Sequence, residues 1–220
     1  MDRLNIIARV RAREDPPCHG LPYVAAVPPD LPSDDAAWDA LYAGALATAA
    51  PLHFTDLATV YAASDWLVAA GGTRFVDLGS GTGKFVLAAA ARHPDVAWWG
   101  VELRPELHAI AEEARVRYGI GNAHFSLADL RDFPLTGFAG AYVFNPFGEL
   151  LDPRPDLGAG GLGERGTAAY RASRGALRQN LRRTPEGFRV TTYYCEEGQV
   201  PRGYERAWAR GKLVGWVGVG

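Results

Sequence analysis

The chain has only two cysteines in 220 residues, Cys18 and Cys195, and they lie far apart. A single pair cannot make a disulfide framework, and neither cysteine sits in a CxxC spacing. Cys18 is followed by His19, but the next histidine is His53, so no four-ligand zinc spacing is present and no metal is expected. No apolar run approaches the ~20 residues needed to span a bilayer. The first residues, MDRLNIIARVRARED, lack both the apolar stretch and the small-residue cleavage site of a signal peptide. A cytoplasmic protein with no membrane partner is therefore expected. An excess of basic residues is missing too: 23 Lys and Arg stand against 25 Asp and Glu, for a net charge of −2. This argues against a protein that grips nucleic acid through a global positive field, though it does not exclude a local basic groove. Internal repeats, low-complexity tracts and a linker long enough to separate two domains are all absent.

What the chain does have is a regular succession of helix and strand signals. Residues 1–33 are proline-rich and read as an extended arm. Ser33-Asp34-Asp35 opens a helix with Trp38, Leu41, Tyr42 and Leu46 on one face, ended by Pro51. Thr55 is the expected cap of a second helix, whose apolar side carries Leu57, Val60, Tyr61 and Leu67 and which stops at Gly71-Gly72. Residues 1–70 are thus an arm and helical extension, a candidate lid, and 71–220 the main domain.

There, strands are expected at 74–78, 97–102, 124–127, 141–145 and 188–194. Helices run from about Gly83 to Arg92, from Pro105 through Tyr118, and through Tyr170, Leu177 and Leu181. A Gly/Pro-rich loop covers 153–166. The tail reads as a hairpin: Tyr204, Arg206, Trp208 and Arg210 alternate with Glu205, Ala207 and Ala209, and Leu213–Val219 returns after a Gly211-Lys212 turn. The pattern predicts an α/β fold with a mostly parallel seven-stranded sheet, helices on both faces and an antiparallel C-terminal hairpin.

The segment RFVDLGSGTGKF carries the most chemistry. An apolar strand ends in Asp77, and Gly79, Gly81 and Gly83 open a helix, with Ser80 between the first two. Glycines serve where backbone takes positive φ or lies against a ligand. The spacing is GxGxG rather than the dinucleotide GxGxxG, and Lys84 stands where that fingerprint wants a small residue. No GK[ST] follows, so this is not a P-loop. A carboxylate at Asp77 would repel a pyrophosphate but complement a sulfonium or ammonium group.

VDLGSGTGKF resembles the first motif of Rossmann-like S-adenosylmethionine (SAM)-dependent methyltransferases, and later segments follow in that family's order across roughly residues 55–195. The resemblance implies SAM as cofactor and S-adenosylhomocysteine (SAH) as product. It places Glu102 and the adjacent Leu103 at the ribose, since a carboxylate can accept from both hydroxyls. It places Asp129, with Leu130, near the adenine, and Asn145-Pro146-Phe147 at the acceptor. Asp132 competes with Asp129. The glycine loop and LHFTDLATVYAASDWL also resemble the nucleosomal-lysine methyltransferase family and its bacterial look-alikes, while FNPFGEL is similar to small bacterial methyltransferases.

NPFG departs from the NPP-aromatic motif of base and glutamine N-methylating relatives: the second proline is missing and the ring comes one place early. Transfer to a nitrogen of a protein side chain or small amine is expected, with Asn145 orienting the acceptor. Two other readings stand beside it. One is a SAM- or SAH-binding module without catalysis. The other is an NAD-dependent oxidoreductase, for which no YxxxK follows strand 4. Asp56 and Tyr61 read either as a helix-end acid and a core aromatic or as a cover over the methionine end of the cofactor. Trp98-Trp99 read as packing, and Arg178, Arg182 and Arg183 as a solvated cluster complementing a helix end.

Overall fold

The computed structural model describes residues 31–41, 54–151, 166–196 and 198–219. The extended arm, the positions of Tyr42, Leu46 and Pro51, Cys18-His19 and nearly all of the 153–166 loop lie outside them. Among the described residues two helices precede the sheet: α1 (Asp35–Asp39), capped by the Asp34 carboxylate on Ala37 N, and α2 (Leu57–Val68). Helix α1 ends at Asp39, before Leu41 could continue its apolar face.

The cap of α2 is Asp56, one residue later than expected, because its carboxylate accepts from Thr59 N at 2.8 Å. Thr55 is instead turned inward, and its hydroxyl meets the buried Tyr142 hydroxyl at 2.7 Å. Strand β1 (Arg74–Leu78) leads into α3 (Lys84–Arg92), β2 (Ala97–Glu102), α4 (Pro105–Arg117), β3 (Ala123–Leu127) and β4 (Gly140–Phe144). A 3-10 turn at Gly148–Leu150 and α5 (Thr167–Leu181) precede β5 (Arg189–Tyr193), β6 (Tyr204–Arg210) and β7 (Leu213–Gly218).

The seven strands form one sheet in the order β3-β2-β1-β4-β5-β7-β6. β1 to β5 are parallel; β7 alone runs against β5 and β6. The order reverses between β1 and β4, and in such sheets ligands sit beyond the carboxyl ends of the strands at that reversal. Alternation along each strand feeds two cores. Phe75, Trp98 and Tyr142 pack with α2 and α3 on one face, while Val76, Val101, Ala141 and Val143 pack with α5 on the other. The helices thus cover both faces, as the sequence pattern predicts.

Strand ends account for most differences from the expected boundaries. β4 stops at Phe144 and β5 at Tyr193, because Asn145 (φ 32°) and Tyr194 (φ 49°) turn into the left-handed region. In the hairpin, a register shift between Arg206 and Trp208 breaks the expected alternation. Tyr204 therefore packs on the α5 face, whereas Trp208 packs on the opposite face against Trp66. A bulged strand carries one extra residue, which moves every later side chain to the other face.

Candidate functional site

The glycine loop is pinned from below. Gly79 N and Ser80 N both donate to Val101 O at the end of β2, at 2.9 and 3.0 Å. Gly79, Gly81 and Gly83 have φ of 94°, 55° and 85°, a region that side-chain-bearing residues rarely adopt. At Gly83 space matters as much: a Cβ there would lie 2.7 Å from the Phe125 ring and 2.9 Å from Ala111. At Gly79 a Cβ would sit 3.3 Å from Pro146 and 3.6 Å from Leu130. The ends of β1, β3 and β4 therefore converge on this glycine, which brings three of the sequence-derived segments together.

Asp77 is 3% exposed, and among the described residues it receives no hydrogen bond. Burial, reinforced by the charge of nearby Glu102, pushes its carboxyl well above the usual range. Glu102 is also buried. Its Oε2 accepts from Gly81 N at 2.9 Å, and its Oε1 accepts from the backbone N of Arg104 at 2.9 Å and from Nε of Arg104 at 3.1 Å. Arg104, itself buried, reaches on to Glu149 after β4 at 2.9 Å. Leu103 beside them is exposed.

The Asp129 carboxylate is clasped by Arg131, from its backbone N and its guanidinium. Burial would raise the Asp129 carboxyl, but these bonds outweigh it and hold it below the ordinary range. Asp132 is exposed, and its backbone N closes the turn onto Asp129 O.

Asn145 occupies the hinge of the site. Its backbone N donates to the Cys195 sulfur at 3.4 Å, and its carbonyl accepts from Gly148 N at 3.1 Å. A Cβ on Gly148 would fall 2.4 Å from the Asn145 amide nitrogen, so a glycine is needed for that side chain to lie where it does. The amide makes no hydrogen bond among the described residues. Cys195 is sunk beneath it, and burial pushes its thiol up to about 12, so it acts as a neutral packing and hydrogen-bonding group. Pro146 lies against the glycine loop, and Phe147 is buried in the α5-side core.

Four features here were not anticipated from sequence. Lys84 is 4% exposed and pairs with Asp35 at 2.8 Å and Asp39 at 2.9 Å, tying α1 to the start of α3. Arg104 links Glu102 to Glu149. Cys195 supports Asn145. Tyr142, below Asp77 on the neighbouring strand, stacks on Phe85 with centroids 3.8 Å apart and bonds Thr55. Only Lys84 had a signal, a cation at a position where a dinucleotide loop wants a small residue; the others depend on contacts 45 or more residues apart.

The arrangement fits a ligand with cationic and hydroxyl groups. A buried carboxylate without a donor, beside a second carboxylate, is complementary to a cation. The Ser80 and Thr82 hydroxyls are also buried without a partner among the described residues. Positive-φ glycines leave the backbone open to close approach.

A family model described as "Methyltransferase domain" matches residues 75–156. The strand order, with its reversed last strand, belongs to the same class. Residues 75–156 thus match a methyltransferase domain, and the fold around them is that of class I SAM-dependent methyltransferases. Over 59 residues it is 42% identical to a protein-L-isoaspartate O-methyltransferase 2 of Anaeromyxobacter sp. (strain Fw109-5), covering 27% of this chain and 24% of that protein. Over 81 residues it is 35% identical to a tRNA (guanine-N(7)-)-methyltransferase of Geobacillus kaustophilus (strain HTA426), covering 36% of each.

The match thus spans about a third or less of these curated relatives. Among solved structures, TrmN from Thermus thermophilus superposes with a TM-score of 0.58 at 19% identity, over 78% of this chain and 51% of that one, and shares the fold. SAM is the cofactor of this family. Among the described residues, no helix is long and apolar enough to cross a membrane, and no cluster of three or more potential metal ligands is found.

Proposed function

We propose that the protein transfers the methyl group of SAM to a nitrogen of its acceptor, with Asn145 orienting that nitrogen. One observation carries the reading: Pro146, the residue after Asn145, packs against Gly79, and the Asn145 amide has no partner of its own among the described residues. SAM, when bound, supplies a methyl group on a positively charged sulfur that is already a good leaving group. Gly79, Ser80, Gly81 and Gly83 would cradle it, Asp77 would face its ammonium, and Glu102 and Leu103 would meet the ribose. Glu102 Oε2 keeps one lone pair beyond its bond to Gly81 N. Asp129 and Leu130 would flank the adenine.

The remaining work falls to position and desolvation. The Asn145 Oδ1 accepts an N–H of the acceptor and aims the nitrogen lone pair along the reaction line. SAM would supply the methyl carbon and keep the C–S electron pair on its sulfur, and Asn145 would hold the acceptor so that its lone pair is free to take that carbon, the surplus proton passing to water. The printed names of the relatives divide between an oxygen and a ring-nitrogen acceptor, and the amide favours nitrogen. Protein side chains, small amines and nucleobase amines all present such an N–H. Residues 1–70, of which the Lys84 pairs tie α1 to α3, would act as the lid.

Replacing Asn145 by Ala is expected to lower turnover by about 10²-fold or more, the scale of losing one positioned polar group, while SAH affinity by calorimetry stays within about twofold by the same logic. Unchanged turnover would remove Asn145 from the mechanism. A protein that binds SAH yet yields none from SAM with any acceptor would be a binding module instead.

A further inference from the structure

The chain's net charge of −2 conceals a strong asymmetry. Residues 167–220 hold ten Lys and Arg against four Asp and Glu, and residues 1–166 hold thirteen against twenty-one. The C-terminal surplus has a shape. β6 is the outer strand of the sheet, and it runs parallel to β5, so it ends at the same edge as the candidate site. At its start, the Tyr204 hydroxyl bonds Thr184 and Leu181 O, which brings the exposed Arg182 and Arg183 beside it. Arg206 is exposed along the strand, and Arg210 and Lys212 are exposed at its far end. None of these five cations makes an ion pair or hydrogen bond with another described residue. The strand covers about 20 Å at 3.3–3.4 Å per residue. Glu205 on β6 and Glu186 before β5 are the acidic groups nearby in sequence.

At the register shift between Arg206 and Trp208 this strip crosses the outer edge of the sheet from the α5 face to the opposite face, and it ends there in a cavity of about 320 Å³ lined by Asp56, Thr59, Tyr193, Tyr194, Arg210 and Lys212, among others. Tyr193 and Tyr194 lie edge to face with centroids 4.7 Å apart, and both pack on Phe144, the residue before Asn145. Tyr194 is 54% exposed. Asp56 is not free to attract a cation, because its oxygens are occupied by Thr59 N, Thr59 Oγ1 and the Tyr193 hydroxyl. Open aromatic rings beside unpaired cations suit a planar base carrying a phosphate, and a line of further cations suits the backbone that follows it.

We infer that the edge strand and the tyrosine cavity form a docking track for a single-stranded polynucleotide, whose terminal or flipped base enters beside Phe144 and Asn145. The inference rests on the methyltransferase reading only for the sense of that path; binding itself does not require it.

The test is fluorescence anisotropy with a labelled single-stranded 12-nucleotide RNA and the same sequence as DNA, each with saturating SAH, alongside calorimetry with SAH alone. Three or four phosphate contacts predict a log–log salt slope of roughly −2 to −3. The double variant Arg206→Glu/Arg210→Glu is expected to bind at least ~10-fold more weakly by the same electrostatics. Tyr194→Ala should lose roughly 5-fold or more, the effect of one stacked base. Both variants should keep wild-type SAH affinity.

Wild-type RNA and DNA affinity in the double variant would overturn the track. Equal competition by heparin or a poly-glutamate peptide, with no effect of Tyr194→Ala, would overturn it as general polyanion binding. A mononucleotide that binds as tightly as the oligomer would likewise overturn it, in favour of a free nucleotide. Failure of SAH to bind the wild type would instead count against the cofactor reading and leave the oligonucleotide result to be judged alone.

Discussion

Along the sheet edge, the β1–β2 half and the β4–β5 half both leave their strands through left-handed backbone, yet with opposite residue types. On the β1 side those positions are Gly79, Gly81 and Gly83, for which such angles cost little. On the other side they are Asn145 and Tyr194, for which the same region costs about 1 kcal/mol or more each. The first half presents bare backbone, which would let the proposed cofactor approach closely. The second needs side chains at those sharp turns, an amide in one case and a ring in the other. The strain there is held by the half-buried Cys195 sulfur under Asn145 N and by packing among Phe144, Tyr193 and Tyr194.

If that division is right, damage to the two halves should separate in the readouts. The largest effect is expected for Gly83→Val, which places a branched side chain at φ 85° against Phe125 and Ala111. Overpacking plus backbone strain puts the loss near 3 kcal/mol or more. Calorimetry should show SAH binding lost, and a thermal melt should show a fall of several degrees; intact SAH binding would contradict the cradle.

Gly148→Ala comes next. It displaces the end of the Asn145 side chain rather than backbone, so stability should change little while turnover falls by about 10-fold or more, with SAH affinity kept. A parallel loss of SAH binding would merge the two halves into one.

Asp77→Asn separates charge from shape. With its carboxyl pushed up in the fold, Asp77 contributes stability fully below its ordinary titration, and that contribution is lost as pH rises through the raised value. The ligand-free protein should therefore lose stability as pH rises through that raised value, and the Asn variant should lose less. Above it the variant should melt higher by ~2–4 °C per kcal/mol regained, yet bind SAH more weakly. SAH affinity of the wild type should climb over the same interval as the carboxylate forms, and that slope should be absent in the variant. A wild type with flat pH dependence would remove Asp77 from cofactor binding.

The smallest change is Cys195→Ser. A thiol pushed up to about 12 stays neutral at ordinary pH, so alkylating reagents should leave the folded protein unmodified. Serine should keep the bond to Asn145 N and cost turnover less than about fivefold, whereas Cys195→Ala should cost more, since the donor on Asn145 then has no acceptor. Equal behaviour of the two variants would make Cys195 a packing residue alone.

The β1 half was readable because its requirements are local. Positive-φ glycines, an acid at the strand end and Pro105 at the first turn of α4 are each fixed within a few residues. Asn145 was found as a residue type at a strand end, but its left-handed turn was not, since that depends on Cys195 fifty residues on and on the empty space at Gly148. Thr55 shows the same limit. Sequence favours it as a helix cap, yet the Tyr142 hydroxyl, 87 residues away, claims its side chain. The hairpin faces were misjudged because a bulge leaves no mark in an alternating pattern.

Whole-chain charge hides a local asymmetry as well. A net value of −2 is an average, and the basic C-terminal segment, residues 167–220, leaves Arg206 and Arg210 on one exposed strand. The sequence by itself determined the class of fold and pointed to the cofactor and to the residues proposed to cradle it, because backbone angle and charge complementarity act over short spans of chain. Tertiary structure decided which side chains stand free. Lys84 and Arg104 are spent on ion pairs, while the Asn145 amide and the cations of β6 have no partner among the described residues, and only contacts between distant strands could make that distinction.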